Sequence, residues 1–125
     1  MKIVDCGLMA YAEAEQMQRE RLAEVAAGGE DTLFMLEHPP VITIGRHGGG
    51  EHLLAAPDFL RARGIDLCPS ARGGKITCHF PGQLVAYPVF RISGRPGGLK
   101  GFFADIEEAV IETATAYGVA AERRE

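Results

Sequence analysis

The run Leu36-Glu37-His38-Pro39-Pro40-Val41 sets the first limit on what this chain can fold into. Two apolar stretches of strand length flank it, Asp31-Thr32-Leu33-Phe34-Met35-Leu36-Glu37 and Val41-Ile42-Thr43-Ile44. Neither proline has an N–H to give to a ladder, so a single strand running from 31 to 44 is excluded. The chain must build two strands here. The rigid pair also restricts the backbone of His38 and so fixes its direction.

Around that break the order reads strand, helix, several strands, helix. Residues 2–6 are short, apolar and strand-like. From 9 to 27 there is no Gly or Pro, and Ala, Glu, Gln, Met, Arg and Leu dominate, a strongly helical mixture. Tyr11, Ala14, Leu22 and Val25 share one face of that helix, with Gln18 and Arg21 interrupting the stripe. Gly28-Gly29 ends it. Pro57 to Gly64 reads as one or two helical turns, and 65–68 as a short strand. Residues 72–92 read as a hairpin or meander, with strands at 75–79 and 83–92 joined by a Phe80-Pro81-Gly82 turn. Pro88 implies an edge position or a bulge for the second of these. After a loop at 93–98, Leu99, Phe103, Ile106, Val110 and Tyr117 mark one side of a helix that Gly118 closes, with Glu107, Glu108 and Glu112 on the other. Residues 119–122 read either as the beginning of a further strand or as a frayed tail. A strand begun there without a partner would mean that the chain is cut short. The fold class expected is α/β (α+β), a mixed sheet with packed helices, in one domain over 1–125.

Composition enters through what it excludes. A hydrophobic fraction of 46% and a charged fraction of 24% belong to a folded chain, not a disordered one. A net charge of -4, with no basic stripe interleaved with aromatics, argues against a nucleic-acid partner. No apolar run approaches the ~20 residues of a membrane span, and Met1-Lys2-Ile3-Val4-Asp5 is no signal peptide. Cys6, Cys68 and Cys78 are odd in number and dispersed, so a reducing compartment and a cytoplasmic location are expected. Together with His38, His47, His52 and His79 they show no metal-ligand spacing, and no metal is expected. Cys78 and His79, as neighbours on a strand, point to opposite faces and cannot pair as nucleophile and base. Cys6 and Cys68 read as small core residues.

The densest polar constellation is Arg72-Gly73-Gly74-Lys75-Ile76-Thr77-Cys78-His79-Phe80-Pro81-Gly82-Gln83. Adjacent glycines let a ligand approach the backbone, whose N–H groups can face an acidic or carbonyl group. Arg72 could add a planar donor fork. Thr77 and His79, two apart, share a strand face. The same residues also suit a plain glycine turn leading into a half-buried strand, with His79 satisfied by backbone. His38 and Gly45-Arg46 form a second, weaker candidate at a strand end.

Taken together, Leu36-Glu37-His38-Pro39-Pro40-Val41-Ile42-Thr43-Ile44-Gly45-Arg46 and Arg72 through Gln83, continuing Leu84-Val85-Ala86-Tyr87-Pro88, resemble the two signature stretches of the lipoyl(octanoyl) transferase family. The family's usual wording is EHPPVYTLGR and RGGxVTYHGPGQLVGYP. The resemblance implies the fold of biotin and lipoate protein ligases, here the N-terminal portion of such a catalytic domain. It implies an acyltransferase that moves octanoyl from octanoyl-acyl carrier protein to a lysine of lipoyl domains, those of 2-oxoacid dehydrogenases and of the glycine cleavage H protein, through a cysteine thioester. No cofactor is implied. Arg72, Gly73, Gly74, Lys75, Ile76, Thr77, Cys78 and His79 would line the acyl pocket, with His38, Arg46, Gly82 and Gln83 in support. The family's catalytic lysine and cysteine lie in KIAAIG-like and PCG-like segments, which would fall beyond Glu125, so this chain alone is expected to be inactive. Lys75 sits at a variable position of the motif and is not that lysine. Cys78 stands where Tyr is usual, and Phe80 replaces the usual Gly. Two other readings are a non-catalytic acyl-binding subunit needing a separate C-terminal chain, and an ATP-dependent lipoate or biotin ligase. The ligases usually carry a GGG-x-V-x-H-D stretch, whereas His79 here is followed by Phe80-Pro81-Gly82-Gln83.

Overall fold

A computed structural model describes residues 1–124, and the described residues separate into two compact units, 1–90 and 91–124. In the first unit β1 (Lys2–Leu8) leads to α1 (Tyr11–Ala26), then to β2 (Thr32–Glu37) and β3 (Val41–Ile44). A 3-10 turn (Gly50–His52), α2 (Pro57–Ala62), β4 (Asp66–Pro69), β5 (Ile76–His79) and β6 (Val85–Val89) follow. The second unit is built on α3 (Gly98–Ala116). Among the described residues, no helix is long and apolar enough to cross a membrane.

The diproline break has the effect that its chemistry demands. Instead of one mixed sheet there are two of three strands, ordered β1-β2-β6 and β4-β3-β5. Each is mixed: β2 runs parallel to β1 and antiparallel to β6, and β3 runs parallel to β4 and antiparallel to β5. The two strands joined by His38-Pro39-Pro40 are therefore the central strands of both sheets.

The expected hairpin over 72–92 does not form. The Phe80–Gln83 turn is real, with Gln83 N donating to Phe80 O at 3.1 Å and Gly82 at φ +89°, as a type II turn requires of its third residue. It passes the chain from one sheet to the other: Val41 pairs with His79, and Thr32 pairs with Val89. Pro88 lies on β6, an edge strand, where a missing N–H is tolerated. Residues 119–122 form no strand.

Alternation along β2 buries Thr32, Phe34 and Leu36. Val25 of α1, Phe34 and Val89 form a core cluster, joined by Val4, Cys6, Met17 and Tyr87. The helix face differs in detail from the stripe expected. Leu22 is exposed, while Ala14 and Val25 are buried. The two polar residues that interrupted the stripe are tied down instead. Gln18 Nε2 donates to Ala14 O at 3.1 Å, and Arg21 Nε donates to the buried Thr32 hydroxyl at 2.7 Å. Thr32 in turn donates to Glu30 O, which also accepts from Arg21 Nη2. A polar seam thus fastens α1 to the head of β2.

In the second unit, Arg95 pairs with Asp105 and lies over the Phe102 ring, and Arg123 reaches back to Glu107 and Glu108. Leu99, Phe103 and Val110 of α3 are 57%, 56% and 63% exposed.

Candidate functional site

Two loops meet at the C-terminal end of β3. Gly45 N donates to Lys75 O at 2.6 Å, Arg46 N to Arg72 O at 3.0 Å and His47 N to Gly74 O at 3.2 Å. The backbones approach so closely that a Cβ on Gly45 would fall well inside contact distance of the Gly74 carbonyl oxygen. Gly74 itself adopts φ +80°. Gly73 has open space around its Cβ position and no left-handed backbone. The N–H groups of Gly73 and Gly74 have no protein partner among the described residues.

Arg72, expected as a donor fork for a ligand, turns inward. Its Nη2 donates to Thr43 O at 2.9 Å, to Thr43 Oγ1 at 2.7 Å and to Lys75 O at 3.1 Å. Nε donates to Thr43 Oγ1 at 3.1 Å and Nη1 to Gly73 O at 3.0 Å. Thr43, fully buried, passes its own proton to Thr77 O at 3.3 Å. A guanidinium is a planar fork of N–H donors, and the bonds it makes here shape the double-glycine loop around it.

Lys75 points away from that loop, donating to His52 Nε2 at 2.9 Å with Glu51 at 3.9 Å. Arg46 is held through its backbone while its exposed guanidinium makes no ion pair among the described residues. Along β5, Ile76, Thr77 and His79 are half-buried and Cys78 is exposed. Cys78 and His79 therefore face apart, as the strand geometry requires. Glu37 accepts from Gly82 N at 2.6 Å and braces the turn after β5.

His38 lies beneath, with 0% exposure. Its Nδ1 is 2.8 Å from Met9 O and its Nε2 is 2.9 Å from Tyr87 Oη. A carbonyl only accepts, so Nδ1 carries the proton and Nε2 accepts from the tyrosine hydroxyl. Burial pushes the His38 pKa down, the Met9 carbonyl opposes this, and His79 adds to the lowering. Burial likewise pushes Tyr87 up to about 12. The rings gather: Tyr11 lies 5.2 Å from His38 and is stacked on His79 at 6.1 Å and 16°. His38 meets His79 edge-on at 5.2 Å. His79 Nδ1 is 2.7 Å from Gln83 Oε1.

A polar chain ties this cluster to the glycine loop. Tyr11 Oη lies 2.6 Å from Ser70 Oγ. Ser70 also accepts from Arg72 N at 3.2 Å and reaches Glu15 Oε1 at 3.5 Å. The proton count closes if Tyr11 donates to Ser70 and Ser70 donates to Glu15, which also accepts from Ala71 N at 3.0 Å. The structure thus brings His38, His79, Gln83 and the 72–74 loop together, and leaves Lys75, Arg46 and Cys78 at the surface. Tyr11, Glu15, Thr43, Ser70 and Tyr87 are contributors that sequence reading did not single out. Tyr87 lay within a signature stretch; Glu15 and Ser70 carried no signal.

This arrangement has relatives. Residues 10–125 match the family described as the lipoyl protein ligase A/B catalytic domain. An octanoyltransferase of Nitratidesulfovibrio vulgaris (strain DP4) is 61% identical over 100% of this chain and 57% of its own length. One from Maridesulfovibrio salexigens is 53% identical over 100% of this chain and 59% of its own. The chain thus spans a little over half the length of these curated relatives. Among solved structures, a bi-partite lipoate protein ligase from Thermoplasma acidophilum superimposes with a TM-score of 0.73 at 19% identity, covering 99% of this chain and 48% of that one. A lipoate-protein ligase A bound with ATP gives 0.71 at 19%, covering 99% and 49%. The fold is the mixed α+β fold of those ligases, and the chain belongs to the lipoyl protein ligase A/B catalytic domain family.

Proposed function

We propose that this chain is the N-terminal, acyl-binding portion of a single octanoyltransferase domain that acts in protein lipoylation in the cytoplasm. The complete activity moves octanoyl from octanoyl-acyl carrier protein to a lysine of a lipoyl domain, in 2-oxoacid dehydrogenases or the glycine cleavage H protein, through a cysteine thioester. The observation that carries this reading is 61% identity to an octanoyltransferase along all 125 residues. The geometry supports it. With the Arg72 guanidinium turned into its own loop, the loop also offers a ligand glycine backbone whose two N–H groups have no protein partner among the described residues. Two such N–H groups can face the carbonyl oxygen of an acyl group. The thiol and the lysine that assists it belong, by the resemblance, to a segment outside these residues, so the chain alone binds but does not transfer.

The test combines octanoyl-acyl carrier protein, a lipoyl domain and either the purified chain or the chain completed with the later segment of the 61% identical relative. Mass spectrometry of the lipoyl domain should show octanoylation only with the completed protein. Transfer by the 125 residues alone would refute the division of labour. A completed protein that needs ATP and free lipoate would be a ligase instead.

A further inference from the structure

His79 is held on three sides and bare on the fourth. Tyr11 covers its face, His38 meets its edge and Gln83 Oε1 takes its Nδ1 proton at 2.7 Å. An amide oxygen only accepts, so Nδ1 is protonated and Nε2 keeps its lone pair. No described residue bonds that nitrogen. The supports are themselves fixed, His38 by Met9 O and Tyr87, Tyr11 by Ser70. The imidazole is oriented before any substrate arrives, and so loses little freedom when one binds.

The chemistry of the reactants decides which of them this lone pair suits. Once the thiol has been acylated its S–H is gone, and the acyl chain and thioester carry acceptors only, with nothing to donate to Nε2. The incoming amine has N–H bonds to give. We propose that His79, set in its Nδ1–H form by Gln83, is the proton acceptor for the lysine amine that receives the acyl group; this rests on the octanoyltransferase reading above. The amine nitrogen attacks the thioester carbonyl carbon and the C–N bond forms. Its surplus proton passes to Nε2, the C–S bond breaks, and the imidazolium returns the proton to the departing thiolate. Gln83 and Tyr11 are positioning residues in this scheme.

The experiment separates the two half-reactions in the chain completed with the relative's later segment. The protein is loaded from octanoyl-pantetheine, then chased either with a lipoyl domain or with hydroxylamine, a nucleophile that attacks thioesters without a general base. His79→Gln should lower transfer to lysine about 10²-fold more than it lowers loading or the release of octanoyl to hydroxylamine, the usual scale of general-base assistance. Gln83→Leu should slow the lysine step too, and side-chain ¹⁵N shifts of His79 should move from pure Nδ1–H to a tautomer mixture with the fold intact. Undiminished lysine transfer by His79→Gln, or an equal loss of loading, would overturn the assignment, as would an Nε2–H tautomer in the parent protein. A parent protein that never loads octanoyl would instead refute the octanoyltransferase reading, and the assignment with it.

Discussion

With a carbonyl on one ring nitrogen and a phenol on the other, His38 can take a second proton only by reversing the Tyr87 bond and turning the phenol proton away. Its pKa lies below the ordinary 6.5, chiefly through burial. In the unfolded chain the ordinary value returns, so below it the unfolded state binds a proton that the folded state refuses. Stability should therefore be full above pH 6.5 and decline as pH falls through it. Urea midpoints measured across that range should show the decline, and His38→Gln should flatten it. Tyr87 has the opposite sense. Raised from 10.0 to about 12, its neutral form favours folding below pH 10, and that contribution is lost as pH rises toward 12. An ultraviolet titration should show a late phenol, which Tyr87→Phe removes. The same substitution strips a buried acceptor of its donor and should cost about 1–3 kcal/mol. That His38 is held in one direction was legible in the sequence, because two prolines follow it. Its partner was not, since nothing local links residues 38 and 87. Glu15 and Ser70 were silent for the same reason.

Between elements, the two glycine positions at the loop crossing make contrasting predictions. Gly45→Ala forces a methyl group into the Gly74 carbonyl and must part β3 from the 72–75 loop; overpacking of this kind costs about 1–3 kcal/mol. Gly73→Ala meets nothing within 4 Å and needs no left-handed backbone, so it should leave thermal stability unchanged or slightly raised. If the acyl group lies on that bare backbone, the Gly73 variant will be as stable as the parent yet bind octanoyl-pantetheine more weakly. Calorimetry beside a binding titration separates the two effects. Most elements were readable from local pattern, because helix formers, glycine stops and the diproline break act over a few residues. The pairing of β5 and β6 was not. Two strands around a tight turn look like a hairpin until a distant central strand competes for each, and here β3 takes one and β2 the other.

For the molecule as a whole, α3 presents Leu99, Phe103, Val110 and Tyr117 to solvent, an apolar face larger than a scattered surface residue would explain. The purified 125-residue chain should self-associate, with sedimentation coefficients that rise with concentration, and Phe103→Lys combined with Val110→Lys should reduce this. A concentration-independent monomer would contradict the expectation. The joined central strands also have a consequence in time. A ribosome delivers β2 and β3 as one stretch, but their outer partners come later: β4 and β5 for one sheet, β6 for the other. β3 keeps an open edge until His79 has emerged to meet Val41, and β2 until Val89 has emerged to meet Thr32, the state in which a nascent chain is most exposed to mispairing with its neighbours. A break that lets one segment serve two sheets thus also makes that segment wait for partners that arrive at two different times.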